Sequence, residues 1–85
     1  MGLKINLTWF DKETEEFIGE EYSLDLGDDD TIIEQTVNPK DENIINNGGF
    51  DVVSAWVPYL QEHIKHKIEL NTYDYQVDFA YRDNW

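Results

Sequence analysis

The chain has 85 residues, 19 acidic against 6 basic side chains, a net charge of -13 at pH 7 and no cysteine. This length allows one domain, over residues 1–85, and this charge argues against nucleic acid or any other polyanion as a ligand. The absence of cysteine excludes disulfides and thiolate metal sites. Three Trp, five Tyr and four Phe supply a core and argue against disorder.

The first ten residues lack the apolar block of a signal peptide. No segment approaches the roughly 20 apolar residues that are needed to cross a bilayer. We therefore expect a soluble cytoplasmic protein that makes no membrane contact.

The N-terminal third predicts a hairpin of two strands. Residues 4–10 and 18–26 both alternate between two sides, which is the period of a half-buried strand. The apolar sides are predicted to carry Ile5, Leu7 and Trp9 in the first strand and Tyr22, Leu24 and Leu26 in the second. The opposite sides are predicted to carry Asn6, Thr8 and Phe10 in the first strand and Phe17, Glu21, Ser23 and Asp25 in and before the second.

The middle of the chain, residues 27–49, is rich in Gly, Asn and Asp. This composition predicts mainly a loop. A single helical turn is predicted after Thr31, with Glu34 placed to help cap it.

Helical and then alternating patterns follow this loop. Apolar residues at helical spacing predict one main helix from about Ala55 to Lys65, with Ser54 as its N-cap. Alternation in residues 68–70 and 75–81, joined by a turn at 71–74, predicts a second hairpin. The order β-β-α-β-β predicts an α+β fold, a four-stranded antiparallel sheet with the helix packed on one face and water on the other.

Most of the charge lies in one part of the chain. Residues 11–34 hold eleven acids and one base, Lys12, which gives this segment a net charge of -10. Mutual repulsion of these groups raises the energy of the folded state, and no fold requires it. Two interpretations stay open, a solvated face that keeps the protein soluble and a surface that binds a basic partner.

Two aromatic residues fall on the polar side of the first hairpin. Alternation places Phe10 and Phe17 with Asn6 and Thr8 rather than with the apolar side chains. Aromatic side chains within a charged surround are typical of protein interfaces. The alternative is that Phe17 folds back over the end of the hairpin as part of the core.

Metal binding and catalysis find no support in the residues. Residues 23–34 fail as a calcium loop, because the fifth and sixth positions, Gly27 and Asp28, lack the ligand and the glycine that an EF-hand needs. His63 and His66 stand three apart, but no Cys or third His completes a site. No nucleophile with a base partner is recognisable. We therefore expect a protein without catalytic residues, metal or cofactor.

Short blocks along the whole chain resemble one family, the cloacin and colicin immunity proteins that inhibit ribonuclease bacteriocins cleaving small-subunit ribosomal RNA. The blocks are MGLK, LTWFDK, TEEF, GEEYS, LGDD, NNGGFDV, WVPYLQ and YRDNW. The resemblance implies a four-stranded antiparallel sheet with a helix. It also implies a one-to-one complex with the basic C-terminal nuclease domain of the cognate toxin. This complex is expected to form in the cytoplasm of the producing cell, and the protein is expected to leave the cell bound to the secreted toxin.

The resemblance and the residue pattern together assign the partner-binding site. Aromatic contacts, specificity positions and acidic residues of complementary charge make up this set. Its members are Phe10, Asp11, Glu15, Phe17, Glu20, Glu21, Asp25, Gly49, Gln76 and Asp78.

The chain departs from the family pattern at several surface positions. Gly49 stands where a larger side chain is usual, Asp30 where a glycine is usual, and Gln76 where an aromatic is expected, and residues 35–43 match poorly. Related inhibitors discriminate between toxins by misfits at a few such positions. These departures leave the identity of the cognate toxin open.

Two other classes of function stay open at this stage. An acidic mimic of nucleic acid that inhibits a DNA-binding enzyme shares the charge, but it favours acids spaced like phosphates rather than gathered around one hairpin. A prolyl isomerase shares the predicted strand order, although architecture alone does not establish activity. The self-repulsion of the chain argues for a monomer in the free state.

Overall fold

Two long antiparallel strands, β1 (Gly2–Asp11) and β4 (Tyr73–Arg82), form the centre of the sheet. The computed structural model describes residues 2–37 and 49–83. On one side β1 pairs with β2 (Phe17–Tyr22), and on the other β4 pairs with the two-residue strand β3 (Phe50–Asp51). The described sheet therefore has the order β2-β1-β4-β3 with every pair antiparallel, which confirms the predicted four-stranded antiparallel sheet.

The predicted second hairpin is wrong. Residues 68–70 form no strand, and the fourth strand is β3, which precedes the helix in the chain. Ile68 is buried in the core, and its backbone N–H donates to Gln61 Oε1 at 2.8 Å, while Gln61 Nε2 donates to the carbonyls of Ile64 and His66. One glutamine side chain thus satisfies backbone groups that a strand ladder would otherwise satisfy.

Short helices replace the single long helix that the sequence predicts. A 3-10 turn (Ser54–Trp56) leads into α2 (Val57–Gln61), so the helical region ends four residues earlier than predicted. Ser54 lies inside the 3-10 turn, whose N-cap is Val53, and so the predicted N-cap is wrong. The predicted turn after Thr31 is confirmed as α1 (Thr31–Gln35). Residues 38–48 of the predicted central loop lie outside the described residues, as does most of the poorly matched stretch 35–43.

One face of the sheet packs against the helices and forms the core. Leu3, Ile5 and Leu7 of β1 and Val77 and Phe79 of β4 are almost fully buried. The side chains that cover them come from α1, α2 and the segment after α2, and are Ile32, Ile33, Leu60, Ile64 and Ile68.

A β-bulge changes the orientation of β2. Phe10 pairs with Phe17, but Trp9 pairs with Gly19, so that Ile18 is an extra residue in β2. Because side chains alternate along a strand, one extra residue exchanges the two faces beyond it. Glu21 therefore pairs with Leu7 on the core side. The prediction that Glu21 faces outward and Tyr22 inward is wrong for this reason.

The other side of the sheet is called the open face here. It is formed by the polar alternates of the strands, and the described helices pack on the opposite side. Its members are Lys4, Asn6, Thr8 and Phe10 of β1, Phe17, Glu20 and Tyr22 of β2, Asp51 of β3, and Asp74, Gln76, Asp78 and Ala80 of β4.

The close contact between Gly19 and Trp9 leads to a stability prediction. A Cβ on Gly19 would lie 2.6 Å from Trp9 Cζ2, and the Trp9 indole is itself stacked on His66 at 3.9 Å between ring centroids. We expect Gly19→Ala to lower the free energy of unfolding by about 1–3 kcal/mol, because the indole must move off the imidazole. Urea unfolding followed by tryptophan fluorescence measures the change. Glu20→Ala is the control, and equal midpoints for both variants would contradict the prediction.

Candidate partner-binding face

The two aromatic rings of the first hairpin meet on the open face. Phe10 and Phe17 pair across β1 and β2, with ring centroids 6.2 Å apart and planes at 75°, an edge-to-face contact. Phe17 is 59% exposed, so it is not part of the core. The structure therefore confirms that both rings share the polar face.

The turn that joins β1 to β2 holds two of the assigned acids. Asp11 Oδ1 accepts hydrogen bonds from the backbone N–H groups of Glu13 at 2.8 Å and Thr14 at 3.0 Å. These bonds favour the charged carboxylate and lower the pKa of Asp11, and the bond from Thr14 has the larger effect. Glu15, at φ 59° in the left-handed region, ends the turn. Asp11 thus shapes the turn that presents Glu15.

Glu15 lies beside a further acid that sequence reasoning did not assign. A side-chain hydrogen bond with Asp74 favours the protonated form of Glu15 and raises its pKa above the ordinary value, and the negative charge of Asp74 acts in the same direction. Lys12 Nζ stands 2.9 Å from Asp74 Oδ1 and lowers the pKa of that carboxyl.

A cavity of about 370 Å³ opens next to this pair of carboxyls. Its walls combine acidic with apolar and aromatic side chains. They are Phe10, Glu15, Asp51, Val52, Asp74, Tyr75 and Gln76. Such a lining suits a long basic side chain, whose stem packs on apolar walls while its charge meets carboxylates.

The three assigned residues of the C-terminal half lie together at the centre of the open face. The position that a Cβ on Gly49 would occupy is 3.1 Å from Gln76 Oε1 and 3.2 Å from Asp78 Oδ1. Asp78 is half-buried, and this burial raises the pKa of its carboxyl. The two positions that the sequence predicts to set specificity, 49 and 76, therefore lie side by side, and a larger residue at 49 has to displace the side chain of Gln76.

The N-terminal acids divide between the two faces. Glu20 is exposed on the open face, opposite Thr8. Glu21 turns to the core side, where its carboxylate accepts hydrogen bonds from the backbone N–H groups of Lys65 at 2.6 Å and His66 at 3.0 Å. The prediction that its charge lies on the outer surface beside Phe10 is therefore wrong. Its physical role is to attach β2 to the segment after α2.

Asp25 also lies away from the aromatic pair. It follows the end of β2, and a Cβ on Gly2 would collide with its Oδ1, which places Asp25 at the end of β1 opposite to Phe10. Its carboxylate accepts a hydrogen bond from the Gly27 N–H at 2.8 Å, and this bond lowers the pKa of Asp25. The prediction that alternation carries Asp25 onto the face of Phe10 fails because the strand ends at Tyr22.

One family model, that of the cloacin immunity proteins, matches residues 2–82 of this chain. The chain belongs to this family. The resemblance read from the sequence blocks is thereby confirmed, and the protein is a bacteriocin immunity protein, a class that acts by binding a cognate toxin. A role as an inhibitor is consistent with the expectation of no catalysis.

Four residues of the open face that lie outside the assigned set pair directly with one of its members: Asn6 with Asp78, Thr8 and Asp51 with Gln76, and Asp74 with Phe10. Asn6 and Thr8 were placed on the correct side by alternation, but polar residues on a strand give no sign of binding. Asp74 was placed in a turn that β4 occupies, and Asp51 belongs to a two-residue strand too short to show a period. The signal that finds them is strand register, which pairs Asp51 with Gln76 and Asn6 with Asp78.

His66 of the immunity protein belongs to its folded framework. His66 stacks on Trp9 with planes 8° apart, and its Nε2 lies 2.7 Å from the Tyr75 hydroxyl. Within residues 2–37 and 49–83, no three His, Cys, Asp or Glu side chains converge as metal ligands. In the same ranges no helix has the length and apolarity to cross a membrane.

Proposed function

We propose that this immunity protein inhibits the RNA-cleaving nuclease domain of its bacteriocin by binding it with the open face. The observation that carries the proposal is the aromatic pair on a polar sheet face, with Phe17 exposed and in edge-to-face contact with Phe10. An exposed phenylalanine contributes little to the fold. Aromatic anchors inside a charged surround are, by contrast, typical of the residues that supply most of the energy of a protein interface.

The charge distribution supports a ribonuclease domain as the partner. A surface that holds RNA phosphates is basic, and the open face presents carboxylates to it. On the open face these are Glu20, Asp51, Asp74 and Asp78, and Glu15 of the adjoining turn adds a carboxyl beside Asp74. Opposite charge accelerates encounter, and the remaining negative potential of the complex repels ribosomal RNA. Inhibition then requires only that the RNA-docking surface is covered.

The open face and the net charge also support the proposed stoichiometry and the proposed class of partner. One open face suits a one-to-one complex, and a net charge of -13 opposes self-association of the free protein. The nuclease threatens ribosomes in the cell that makes it, and so we place the complex in the cytoplasm, from which the secreted toxin carries the protein out. Aromatic anchors beside gathered acids favour this partner over the alternative of a DNA-binding enzyme.

A translation assay tests the proposed function. Purified immunity protein is titrated against the nuclease domain of a ribosomal-RNA-cleaving bacteriocin before ribosomes are added. Cleavage of the small-subunit RNA is then measured together with protein synthesis. With the cognate nuclease domain, we expect one equivalent of immunity protein to protect the small-subunit RNA fully from cleavage. Cleavage that persists at excess immunity protein, with no complex detected at low salt for any domain of this class, would refute the proposal.

Salt dependence tests the electrostatic part of this proposal. We expect the association rate constant to fall by about ten- to a hundred-fold as salt rises from about 0.02 M to 0.5 M, because screening removes the long-range attraction. The dissociation rate constant should change much less. Stopped-flow fluorescence measures both. An association rate constant that does not depend on salt would show that the acidic surface does not guide encounter.

A further inference from the structure

Strand β2 forms one edge of the described sheet, because β1 is the only described strand that pairs with it. The register fixes which of its main-chain groups lie on this edge. Ser23 continues the register opposite Ile5 and donates its N–H to the Ile5 carbonyl at 2.8 Å. Bonded and unbonded pairs alternate along an antiparallel ladder, so Glu20, three residues before Ser23 and opposite Thr8, is in an unbonded pair. The N–H and C=O of Glu20 therefore point away from β1, toward the outer edge.

Exposed apolar side chains gather along this edge. Phe17, Ile18 and Tyr22 of β2 and Leu24 just after it are between 45% and 84% exposed. Four of the six large apolar side chains that are exposed among the described residues thus belong to residues 17–24. A strand edge without a partner strand is a template for pairing with another chain, and apolar side chains beside it add contact area. The edge is a candidate binding surface.

The charge of the segment selects the kind of chain that suits this edge. Two copies of this protein joined along β2 would bring together two segments, residues 11–34, that each carry a net charge of -10. Like charges on neighbouring strands are destabilising, and the bulge at Ile18 shortens the regular part of the edge. A second copy is therefore disfavoured. The same charge attracts a basic chain in an extended conformation.

We infer that an extended, basic segment of the nuclease domain adds to the outer edge of β2 as a fifth strand, with its main chain hydrogen-bonded to the N–H and C=O of Glu20. This inference rests on the proposed function and adds a main-chain contact to the side-chain contacts of the open face. The two surfaces are continuous, because Phe17 belongs to both. In strand addition the main-chain bonds supply affinity, and the side chains beside them supply specificity.

Hydrogen exchange at the Glu20 amide tests this inference first. Immunity protein labelled with nitrogen-15 is transferred to deuterated buffer, alone and in complex with the unlabelled nuclease domain. We expect the Glu20 amide to exchange at least about ten-fold more slowly in the complex, because the added strand accepts its hydrogen bond. The amide of Glu21, which lies in a bonded pair with Leu7, is the control and should be protected in both states.

Two variants separate the main chain of Glu20 from its side chain. Glu20→Pro and Glu20→Gln both remove the charge, but only proline removes the N–H. A strand tolerates proline where that N–H points away from the neighbouring strand. In surface plasmon resonance we expect the nuclease domain to dissociate at least about ten-fold faster from the proline variant than from the glutamine variant. Thermal unfolding shows whether both free variants are folded, and if the proline variant is not, the exchange measurement decides.

The outcomes separate this inference from the proposed function. If the wild-type protein binds and inhibits the nuclease domain while the Glu20 amide exchanges within about two-fold of its free rate, the inference alone is overturned. Equal dissociation rate constants of the two folded variants overturn it as well. A Glu20 amide protected in the free protein, with a dimer in analytical ultracentrifugation, would assign the edge to a second copy and overturn it too. A wild-type protein that neither binds nor inhibits overturns both the inference and the proposed function.

Discussion

Replacing Glu21 by alanine is expected to lower the free energy of unfolding by about 2–3 kcal/mol. Its carboxylate accepts charge-assisted hydrogen bonds from the N–H groups of Lys65 and His66, and removal leaves both donors without that acceptor. These bonds fix the segment after α2 against β2, so its loosening should also disturb the stack of His66 on Trp9. Urea unfolding at pH 7, followed by tryptophan fluorescence, measures the loss.

Glu20 supplies the matched control for Glu21. The two residues are neighbours with the same side chain, but Glu20 is exposed on the open face. We expect Glu20→Ala to leave the free energy of unfolding within about 0.5 kcal/mol of the wild type and to slow association with the toxin domain. Equal stability of the two variants would mean that the bulge at Ile18 does not set the orientation of β2 as described.

Removal of either ring of the aromatic pair, the exposed Phe17 or the half-buried Phe10, should produce the largest loss of binding. We expect Phe10→Ala and Phe17→Ala each to weaken the complex by about 10- to 100-fold, the range of an interface hot spot. The double variant should lose less than the two single losses combined, because each ring packs on the other at 6.2 Å. Isothermal titration calorimetry with the nuclease domain measures all three variants.

Leu24 provides the control for the aromatic pair. It is 84% exposed, but it lines a cavity on the helical side of the molecule together with Glu62 and His63. We expect Leu24→Ala to change affinity by less than about two-fold. If Leu24→Ala weakens binding as much as Phe17→Ala does, the toxin contacts a different surface from the one proposed.

Alternation in the sequence was enough to predict the two central strands of the sheet. Most of β1 and β4 was found, because a strand with one buried face has to alternate, and both carry the residues that form the core. The same signal placed Phe10, Gln76 and Asp78 on strands of the sheet. Three residues of the proposed interface could therefore be placed on the sheet from the sequence alone.

The errors share a physical cause, since each depends on a contact with another segment that the period of the segment itself does not reveal. The bulge at Ile18 inverts β2 beyond it, and a period of two cannot reveal an inserted residue. Strand β3 exists only through its pairing with β4. Residues 68–70 alternate like a strand, but the side chain of Gln61 takes the place of a partner strand.

The candidate site was limited by the same dependence on register. Glu21 and Asp25 were assigned by counting along β2, and both lie elsewhere once the bulge and the end of the strand are included. Asn6 gave no sign of function in the sequence. Only the folded sheet places Asn6 opposite Asp78 and buries its Nδ2 without a hydrogen-bond partner.

NMR cross-saturation of the complex tests most directly whether the open face binds the toxin. Immunity protein labelled with deuterium and nitrogen-15 is mixed with unlabelled nuclease domain, whose aliphatic protons are irradiated. Signal loss is predicted at the amides of Thr8, Phe10, Phe17, Gln76 and Asp78, with little change across residues 60–66 of the helical side. Loss concentrated in residues 60–66, with the strand amides unaffected, would contradict the account.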